Sequence, residues 1–462
     1  MDSTSAWEAL EAALSTGGDF AEIFWEDRRD QNLVLQDNRL ETILSGRSHG
    51  AGIRVYVGLN AVYTYTNDTS REGLVRCARQ AASAVKSQRA GLVQAQKPVE
   101  RQIANAHQIR MLPSQTDTRK KVEILRTANA AARSVSPEIS QVVCSYRNSE
   151  QDVAICNSDG LFVRDRRVYT RLGCQAVASS GMENQSAFEG PGAMMGFELF
   201  QDRVDPEAYG KISAKTAVTM LHAPQCPGGM MPVAIDNGFG GVIFHEACGH
   251  SLEATSVAFG LSEFAGKLGQ QIAAPCVTAI DDGTLANEWG SQNVDDEGTP
   301  TQKLVLIENG VLKNYMIDRL NGKRMGMAPT GSARRQSYAF APTSRMHNTY
   351  IAPGTDSNEE IIATMGDGLY AAKMGGGSVN PATGEFNFAV QEGYLVRDGK
   401  IVSPVRGASL IGKGAEILQR IDRVGRDMRM AQGMCGSLSG SVPTNVGEPM
   451  IRVSSITVGG RA

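Results

Sequence analysis

Short apolar segments of alternating polarity, separated by turn residues, run through most of this sequence and restrict the folds that it can adopt. Such alternation is typical of strands with one buried face, because successive side chains of a strand point to opposite sides of the sheet. In the first half these segments include FAEIFWED, NLVLQDN, LETILSG and GIRVYVG, and segments with helical spacing precede each run of strands. One helix followed by several strands, twice over, predicts an α+β amino-terminal half.

The segment HAPQCPGGMMP, at residues 222–232, is the clearest break in the chain, because proline and glycine interrupt helices and strands. After it, the sequence predicts a strand in MPVAID, one helix in VIFHEACGHSLEATSVA, and then many short strands separated by glycine. The segments ENGVL and RDGKIV are typical of two-residue hairpin turns. A chain of 462 residues exceeds one average domain. We therefore predict two domains, an α+β domain at residues 1–221 and a β-rich domain at 222–462 that carries the histidine-bearing helix.

Charge and hydropathy exclude several classes of protein. The net charge is −3, and acidic and basic residues are interspersed without a basic block that could follow a nucleic-acid backbone. No apolar run reaches the roughly 18 residues of a membrane-spanning helix, and no basic segment followed by an apolar one indicates a secretory signal. The eight cysteines include no CxxC pair and are interpreted as reduced thiols. We expect a cytoplasmic protein that binds neither nucleic acid nor a membrane.

The segment GFGGVIFHEACGHSLEA places His245 and His250 five residues apart, with Glu246 directly after the first histidine. In the familiar zinc-binding helix the two histidines are four residues apart and share one face. On an ideal helix, positions five apart differ by roughly 140° around the axis, so the two rings would diverge. Gly249 has no Cβ to resist a distorted turn. We predict a π-type bulge or a helix end there, which brings the rings together and leaves Glu246 suited to deprotonating a metal-bound water.

A catalytic zinc ion needs a third protein ligand and one open position. Glu253 lies within one turn of His250, and Cys435 lies in the glycine-flanked segment GMCGS. Spacing alone cannot choose between Glu253 and Cys435, although two imidazoles with a thiolate favour zinc over magnesium or calcium. Cys248 points away from the histidine pair on most helical geometries. More distant candidates are His222, Cys276 and His347.

Four segments together, distributed over residues 51–460, resemble the TldD/PmbA family of zinc metallopeptidases. They are AGIRVYVGLNAVYTYTNDTS, GFGGVIFHEACGHSLEA, RRQSYAFAPTSRMHNTYI and GMCGSLSGSVPTNVGEPMIRVSSITVGG. The chain is similar to the active, TldD-like type, which carries HExxxH, rather than to the partner type, which lacks it. The resemblance implies a two-domain TldD/PmbA-like fold, zinc held by His245, His250 and Cys435, Glu246 as general base, and Glu253 as an outer residue that orients His250.

The resemblance also implies a dimer, either of identical chains or with a TldE/PmbA-like subunit, that encloses a central cavity. We therefore predict a zinc-dependent peptidase that hydrolyses unfolded or short peptides by metal-activated water inside this cavity. Two alternatives stay open, namely a non-catalytic scaffold subunit with a structural metal and a specialised metal-dependent enzyme of peptide natural-product processing. Nucleophilic catalysis by Cys248 or Cys435 is a lesser option. Residues that could either stabilise an oxyanion or serve the structure are Tyr338, Arg345 and His347.

Overall fold

The structure is a computed structural model that describes residues 1–85, 93–380 and 383–460. Its amino-terminal half contains one eight-stranded sheet. The strands are β1 (Phe20–Gln36), β2 (Arg39–Val57), β3 (Asn60–Thr66), β4 (Val99–Glu100), β5 (Ile139–Asn157), β6 (Leu161–Ser180), β7 (Glu183–Glu189) and β8 (Gly192–Ala193). Their order is β3-β2-β1-β5-β6-β4, and β7 and β8 also pair with β6.

The central strands are much longer than the sequence predicts. FAEIFWED and NLVLQDN are predicted as separate strands, but both belong to the 17-residue β1. The prediction of a break is wrong because the polar residues between these segments still pair with neighbours on both sides. Arg29, for example, lies opposite Arg47 of β2 and Glu150 of β5. Two flanking strands satisfy the backbone of β1 along its length, whatever the polarity of its side chains.

In the described part of this half, five helices accompany the sheet. They are α1 (Ser3–Leu14), α2 (Arg71–Ala84), α3 (Thr118–Arg133), α4 (Leu199–Asp202) and α5 (Pro206–His222). The first two share a core with β1 and β2 that includes Leu10, Ile23 and Leu74. The helices α3 and α5 share a second core, with Leu125 and Leu172. Each pair therefore buries a different part of the same sheet.

The described residues of the carboxy-terminal half form three further sheets. Its strands are β9 (Gly229–Ile235), β10 (Ala279–Asp282), β11 (Lys303–Glu308), β12 (Val311–Leu312), β13 (Ala333–Arg334), β14 (Thr343–Ser344), β15 (Asn348–Ile351), β16 (Gly368–Asn380), β17 (Glu385–Arg397), β18 (Lys400–Val405), β19 (Ser409–Lys413), β20 (Ile421–Val424), β21 (Arg429–Ser437), β22 (Gly440–Glu448) and β23 (Ile451–Gly459). One sheet has the order β16-β9-β23-β19-β17-β18 with β20 on β23, another has β12-β11-β10-β15-β22-β21, and β13 pairs with β14.

The helices of this half are short. They are α6 (Val242–Phe244), α7 (Ala254–Val257), α8 (Arg319–Met325), α9 (Asn358–Ala363) and α10 (Gly414–Arg420). The largest hydrophobic core lies here and includes Phe244 and Cys248 from the HExxxH segment. The predicted α+β class, with a β-rich second half, is confirmed. The domain boundary at residue 222 stays a prediction, although no sheet named above combines strands from before and after it.

The two predicted hairpin turns are confirmed. Asn309 and Gly310 both have positive φ, at 49° and 80°, and connect β11 to β12. Asp398 and Gly399, at 47° and 70°, connect β17 to β18. A tight turn with two left-handed residues matches the twist of the strands it joins, which explains the Asn-Gly and Asp-Gly pairs. Among the described residues, no helix has the length and apolar character needed to cross a membrane.

Candidate metal centre

The HExxxH segment is not the single helix that the sequence predicts. A 3-10 turn at Gly238–Gly241 leads into α6, and a π-helical turn then spans His245–Gly249. The backbone N–H of His250 donates to the carbonyl of His245, five residues earlier, so the extra residue of the motif is absorbed within one wide turn. The predicted π-type bulge is therefore confirmed. The prediction of a continuous helix is wrong, because Glu253 is extended and ends the segment before α7.

Gly249 serves this turn through its small size. Its φ and ψ are −54° and −53°, ordinary values for a right-handed helix, so unusual dihedral angles are not what requires glycine. A Cβ at this position would lie 2.3 Å from Sδ of Met346, which is fully buried. Glycine therefore lets the bulged turn approach the side chain of Met346.

Gly249→Ala is expected to destabilise the protein by about 1–3 kcal/mol, because the new methyl group overpacks against Met346. Urea unfolding of the purified protein would measure this change. Gly46→Ala is the matched control, because a Cβ at Gly46 meets nothing within 4 Å. Equal stabilities of the two variants would contradict the assigned close contact.

Three potential ligand atoms converge beside this turn. Sγ of Cys435 lies 3.3 Å from Nε2 of His245 and 3.3 Å from Nε2 of His250. All three atoms lie within 4.8 Å of one another, and they form the one such His/Cys/Asp/Glu group among the described residues. The two rings are 5.0 Å apart at their centroids and nearly perpendicular, at 82°. Zinc–nitrogen bonds of about 2.0 Å and zinc–sulfur bonds of about 2.3 Å would fit within this spacing.

Cys435 reaches the histidines from a distant hairpin. It lies on β21, opposite Val442 of β22, and β22 pairs in parallel with β15. Arg345, which is fully buried, donates to the backbone carbonyls of Cys435 and Gly440 and to Oγ of Ser439. The arginine thus ties together the two strands at the end of the hairpin. This contact makes Arg345 a residue that positions Cys435.

Glu253 occupies the outer side of His250. Its Oε2 lies 3.1 Å from Nδ1 of His250, which leaves Nε2 directed at Cys435. A carboxylate on the outer nitrogen commonly fixes the orientation of a metal-binding imidazole. Although burial alone lowers the pKa of His250, the charges of Glu253 and Cys435 raise that pKa well above its usual value. Burial likewise opposes ionisation of the Cys435 thiol, but His245 and His250 hold its pKa well below the usual value.

Glu246 lines a recess of about 190 Å³ beside the three donors. Its Oε2 lies 3.8 Å from Nε2 of His250, and 27% of its side chain is exposed. Phe239, Phe388 and Met434 contribute to the same wall. The arrangement places one solvent-accessible carboxylate beside a thiol and two imidazoles.

The remaining sequence candidates lie elsewhere. His222 is exposed and pairs with Glu138, Cys276 is exposed, and His347 is buried against Asp281. Cys248 is buried in the core, which raises the pKa of its thiol well above its usual value and disfavours a reactive thiolate. Tyr338 packs against Tyr65 of the amino-terminal sheet. The three candidates for stabilising an oxyanion, Tyr338, Arg345 and His347, all lie outside the described lining of the recess.

The sequence matches three consecutive family regions. They are described as PmbA/TldA metallopeptidase domain 1 at residues 21–85, central domain at 112–221 and C-terminal domain at 228–460. The chain belongs to the PmbA/TldD metallopeptidase family. Membership implies a bound metal ion, and the group of His245, His250 and Cys435 provides a possible site for it.

Relatives extend over nearly the whole chain. A Haemophilus influenzae protein named as a metalloprotease TldD homolog is 34% identical over 96% of this chain and 93% of its own. A metalloprotease of Methanothermobacter thermautotrophicus is 33% identical over 96% of each chain. The crystal structure of TldE from Thermococcus kodakarensis superposes with a TM-score of 0.77 at 20% identity, covering 98% of this chain and 100% of that one. The names of the family and the relatives support a general metallopeptidase function, and the superposition supports the fold.

Proposed function

We propose that the protein is a zinc-dependent peptidase, with zinc held by His245, His250 and Cys435 and with Glu246 as general base. The observation that carries this proposal is the convergence of the three donor atoms within 4.8 Å beside a recess that Glu246 lines. Two imidazoles and a thiolate favour zinc over the oxygen-preferring divalent ions. Nε2 of His245 faces the group, 3.3 Å from Sγ of Cys435, whereas the buried Nδ1 has no hydrogen-bond partner among the described residues.

The number of donors favours a catalytic site over a structural one. Structural zinc sites commonly have four protein ligands, whereas catalytic sites have three and keep one position for water or substrate. Glu253 contacts the outer nitrogen of His250 instead of joining the three donors. This placement argues against the alternative of a scaffold subunit with a closed, four-ligand site.

The residues around the site then have separate tasks. Zinc held by His245, His250 and Cys435 would supply Lewis-acid activation of water and of the peptide carbonyl. Glu246 accepts a proton from the attacking water and donates it to the departing amine. Glu253 orients His250, and Arg345 fixes the backbone of Cys435 through its carbonyl oxygen.

The small recess and the relatives support a proposal about substrate and assembly. A recess of about 190 Å³ admits a side chain or a short backbone segment, so unfolded or short peptides suit it better than folded proteins. Similarity to TldE supports a dimer, formed either by two copies of this chain or with a TldE/PmbA-like subunit. A cytoplasmic location stays a prediction from the sequence, as does the alternative of a role in peptide natural-product processing.

Removal of the metal is expected to abolish peptide hydrolysis, and stoichiometric zinc is expected to restore it. The test is hydrolysis of a mixture of unstructured peptides by the native, chelator-treated and zinc-restored protein, followed by mass spectrometry. Metal content is measured in parallel. Activity that persists without metal would contradict the proposal.

Cys435→Ser tests whether the thiol of Cys435, rather than another thiol, binds zinc. We expect this variant to bind zinc more weakly than the wild type in a titration against a competing chelator, because a neutral hydroxyl is a poor ligand for zinc. Cys248→Ser is the matched control, since Cys248 lies in the HExxxH segment but outside the donor group. Equal zinc affinities for Cys435→Ser and wild type would exclude Cys435 as a ligand.

A further inference from the structure

A larger cavity, of about 500 Å³, adjoins the metal centre and has an unusually cationic wall. It lies between one face of the amino-terminal sheet and the β21–β22 hairpin. Met434, the residue before Cys435, lines both this cavity and the recess. Asp30 is the one carboxylate residue among those described in its wall, whereas six arginines contribute to it. They are Arg28, Arg147, Arg167, Arg171, Arg334 and Arg335.

Three of these arginines have carboxylate partners. Arg28 lies 2.8 Å from Asp30. Arg167 pairs with Asp165 and Asp296, and Arg335 pairs with Glu22. The contacts of Arg28 with Asp30 and of Arg167 with Asp165 lie within one strand, whereas Asp296 and Glu22 are reached from the other half of the chain. The charges of these three arginines are therefore compensated within the protein.

The other three arginines, Arg147, Arg171 and Arg334, have no carboxylate within 4.0 Å in the part of the chain that the structure describes. Arg171 donates to the carbonyls of Gly190 and Gln432. Arg147 donates to the amide oxygen of Asn32. These neutral acceptors hold the guanidinium groups in place without cancelling their charge.

Arg334 is the most unusual of the three. Its side chain is fully buried, and Nη1 donates to the carbonyl of Met346. Its Nε and Nη2 have no hydrogen-bond partner among the described residues. A buried cation without an adjacent carboxylate is costly, so an anion bound in this cavity would stabilise the charge of Arg334, to which Asp296 contributes only from a distance. Burial also lowers the pKa of Arg171, to about 10, which still leaves it protonated at neutral pH.

A third cavity, of about 640 Å³, adjoins both the cationic cavity and the recess. Arg147, Arg171 and Met434 line this cavity as well as the cationic one. It also shares Phe239 and Gly376 with the recess at Glu246. A chain bound at the recess can therefore extend past Met434 toward the arginines.

We propose that the cationic cavity binds a carboxylate of the peptide substrate and makes this enzyme prefer acidic peptides. The proposal rests on the proposed peptidase function, because that function supplies the peptide. The flat, forked guanidinium group matches a carboxylate in two parallel hydrogen bonds. The carboxylate comes from an Asp or Glu side chain or from the carboxy terminus of the peptide, and the two sources share one chemistry.

The test compares peptides that differ by one charge. Matched peptides carry Glu or Gln at each position, with a free or amidated carboxy terminus, and kcat/KM is measured on the zinc-loaded full-length protein in its native assembly. We expect wild type to prefer the charged peptide by about tenfold or more at one position, in line with hydrogen bonds to charged groups. A side-chain preference and a terminal preference distinguish the two sources. No preference in either series would overturn the proposal.

Variants connect the preference to the cavity. Arg147→Gln and Arg171→Gln are each expected to reduce the ratio of kcat/KM between charged and neutral peptides, and added salt is expected to reduce it in wild type. Arg147 is exposed, so its variant provides the test if Arg171→Gln fails to fold. Arg119→Gln is the control, because Arg119 lies on α3 with 88% of its side chain exposed. An unchanged ratio in the folded cavity variants would overturn the proposal.

Binding measurements separate this inference from the proposed function. The affinity of Glu246→Gln for fluorescent Glu and Gln peptides is measured by anisotropy, alone and combined with Arg147→Gln. Charge-selective binding by Glu246→Gln, together with no peptide hydrolysis by the zinc-loaded wild type, would support the cavity and contradict the peptidase. Hydrolysis and binding without charge selectivity would support the peptidase and contradict the cavity.

Discussion

Glu246→Gln is expected to lower kcat for peptide hydrolysis by about 10²–10⁴-fold, the usual contribution of a general base. The amide has nearly the same shape as the carboxylate but cannot accept the proton of the attacking water. Glu246 is the one carboxylate residue among the described residues that line the recess, so no neighbour there can replace it. The measurement is the rate of hydrolysis at saturating peptide with the variant loaded with zinc.

Two controls distinguish loss of the general base from loss of zinc or a nonspecific effect. Zinc affinity of Glu246→Gln is expected to stay near that of wild type, because Glu246 lies outside the three-donor group. Glu416→Gln, on the exposed surface of α10, is expected to retain full activity. Undiminished hydrolysis by Glu246→Gln would remove the general base from the proposal. Loss of zinc from this variant would instead make Glu246 a ligand.

The fold class was accessible from the sequence, because alternation and turn residues are local signals. The Asn-Gly and Asp-Gly turns, for example, need only two left-handed residues between strands. The lengths of the strands could not be predicted from local patterns. Arg29 interrupts an apolar pattern, but its backbone pairs on both sides. One partner is β2, which follows a turn, and the other is β5, which is remote along the chain. Pairing of this kind depends on the whole sheet and leaves little trace in local polarity.

At the candidate site, local geometry was predictable and long-range geometry was not. The five-residue spacing of His245 and His250 requires a wide turn if the rings are to meet, and the structure has that turn. The position of Cys435 depends on a hairpin 190 residues away along the chain. Spacing left Cys435 and Glu253 as equal candidates, and the family resemblance alone favoured the cysteine. The contact of Arg345 with the carbonyl of Cys435 had no signal in the sequence, because it arises from the pairing of separate strands.

The expected cost of Arg54→Met is about 3–5 kcal/mol of unfolding free energy, the usual loss when one partner of a buried ion pair is removed. Arg54 lies on β2, where its guanidinium contacts Glu22 of β1 and Glu297 of the carboxy-terminal half. All three side chains are almost completely buried, with at most 3% exposed. Methionine fills similar space but leaves Glu297 without its arginine partner and leaves Glu22 paired with Arg335 alone. Urea unfolding at neutral pH measures the change.

Arg47→Met is the matched control, because Arg47 lies on the same strand and also pairs with a carboxylate, that of Asp27. Its side chain is 58% exposed, so water and salt screen the pair and the substitution should change stability little. A similar small effect for Arg54→Met would mean that Glu22 and Glu297 are neutralised or hydrated in the folded protein. A large, selective loss would show that the buried ion cluster, which joins the amino-terminal sheet to Glu297 of the carboxy-terminal half, stabilises the folded protein.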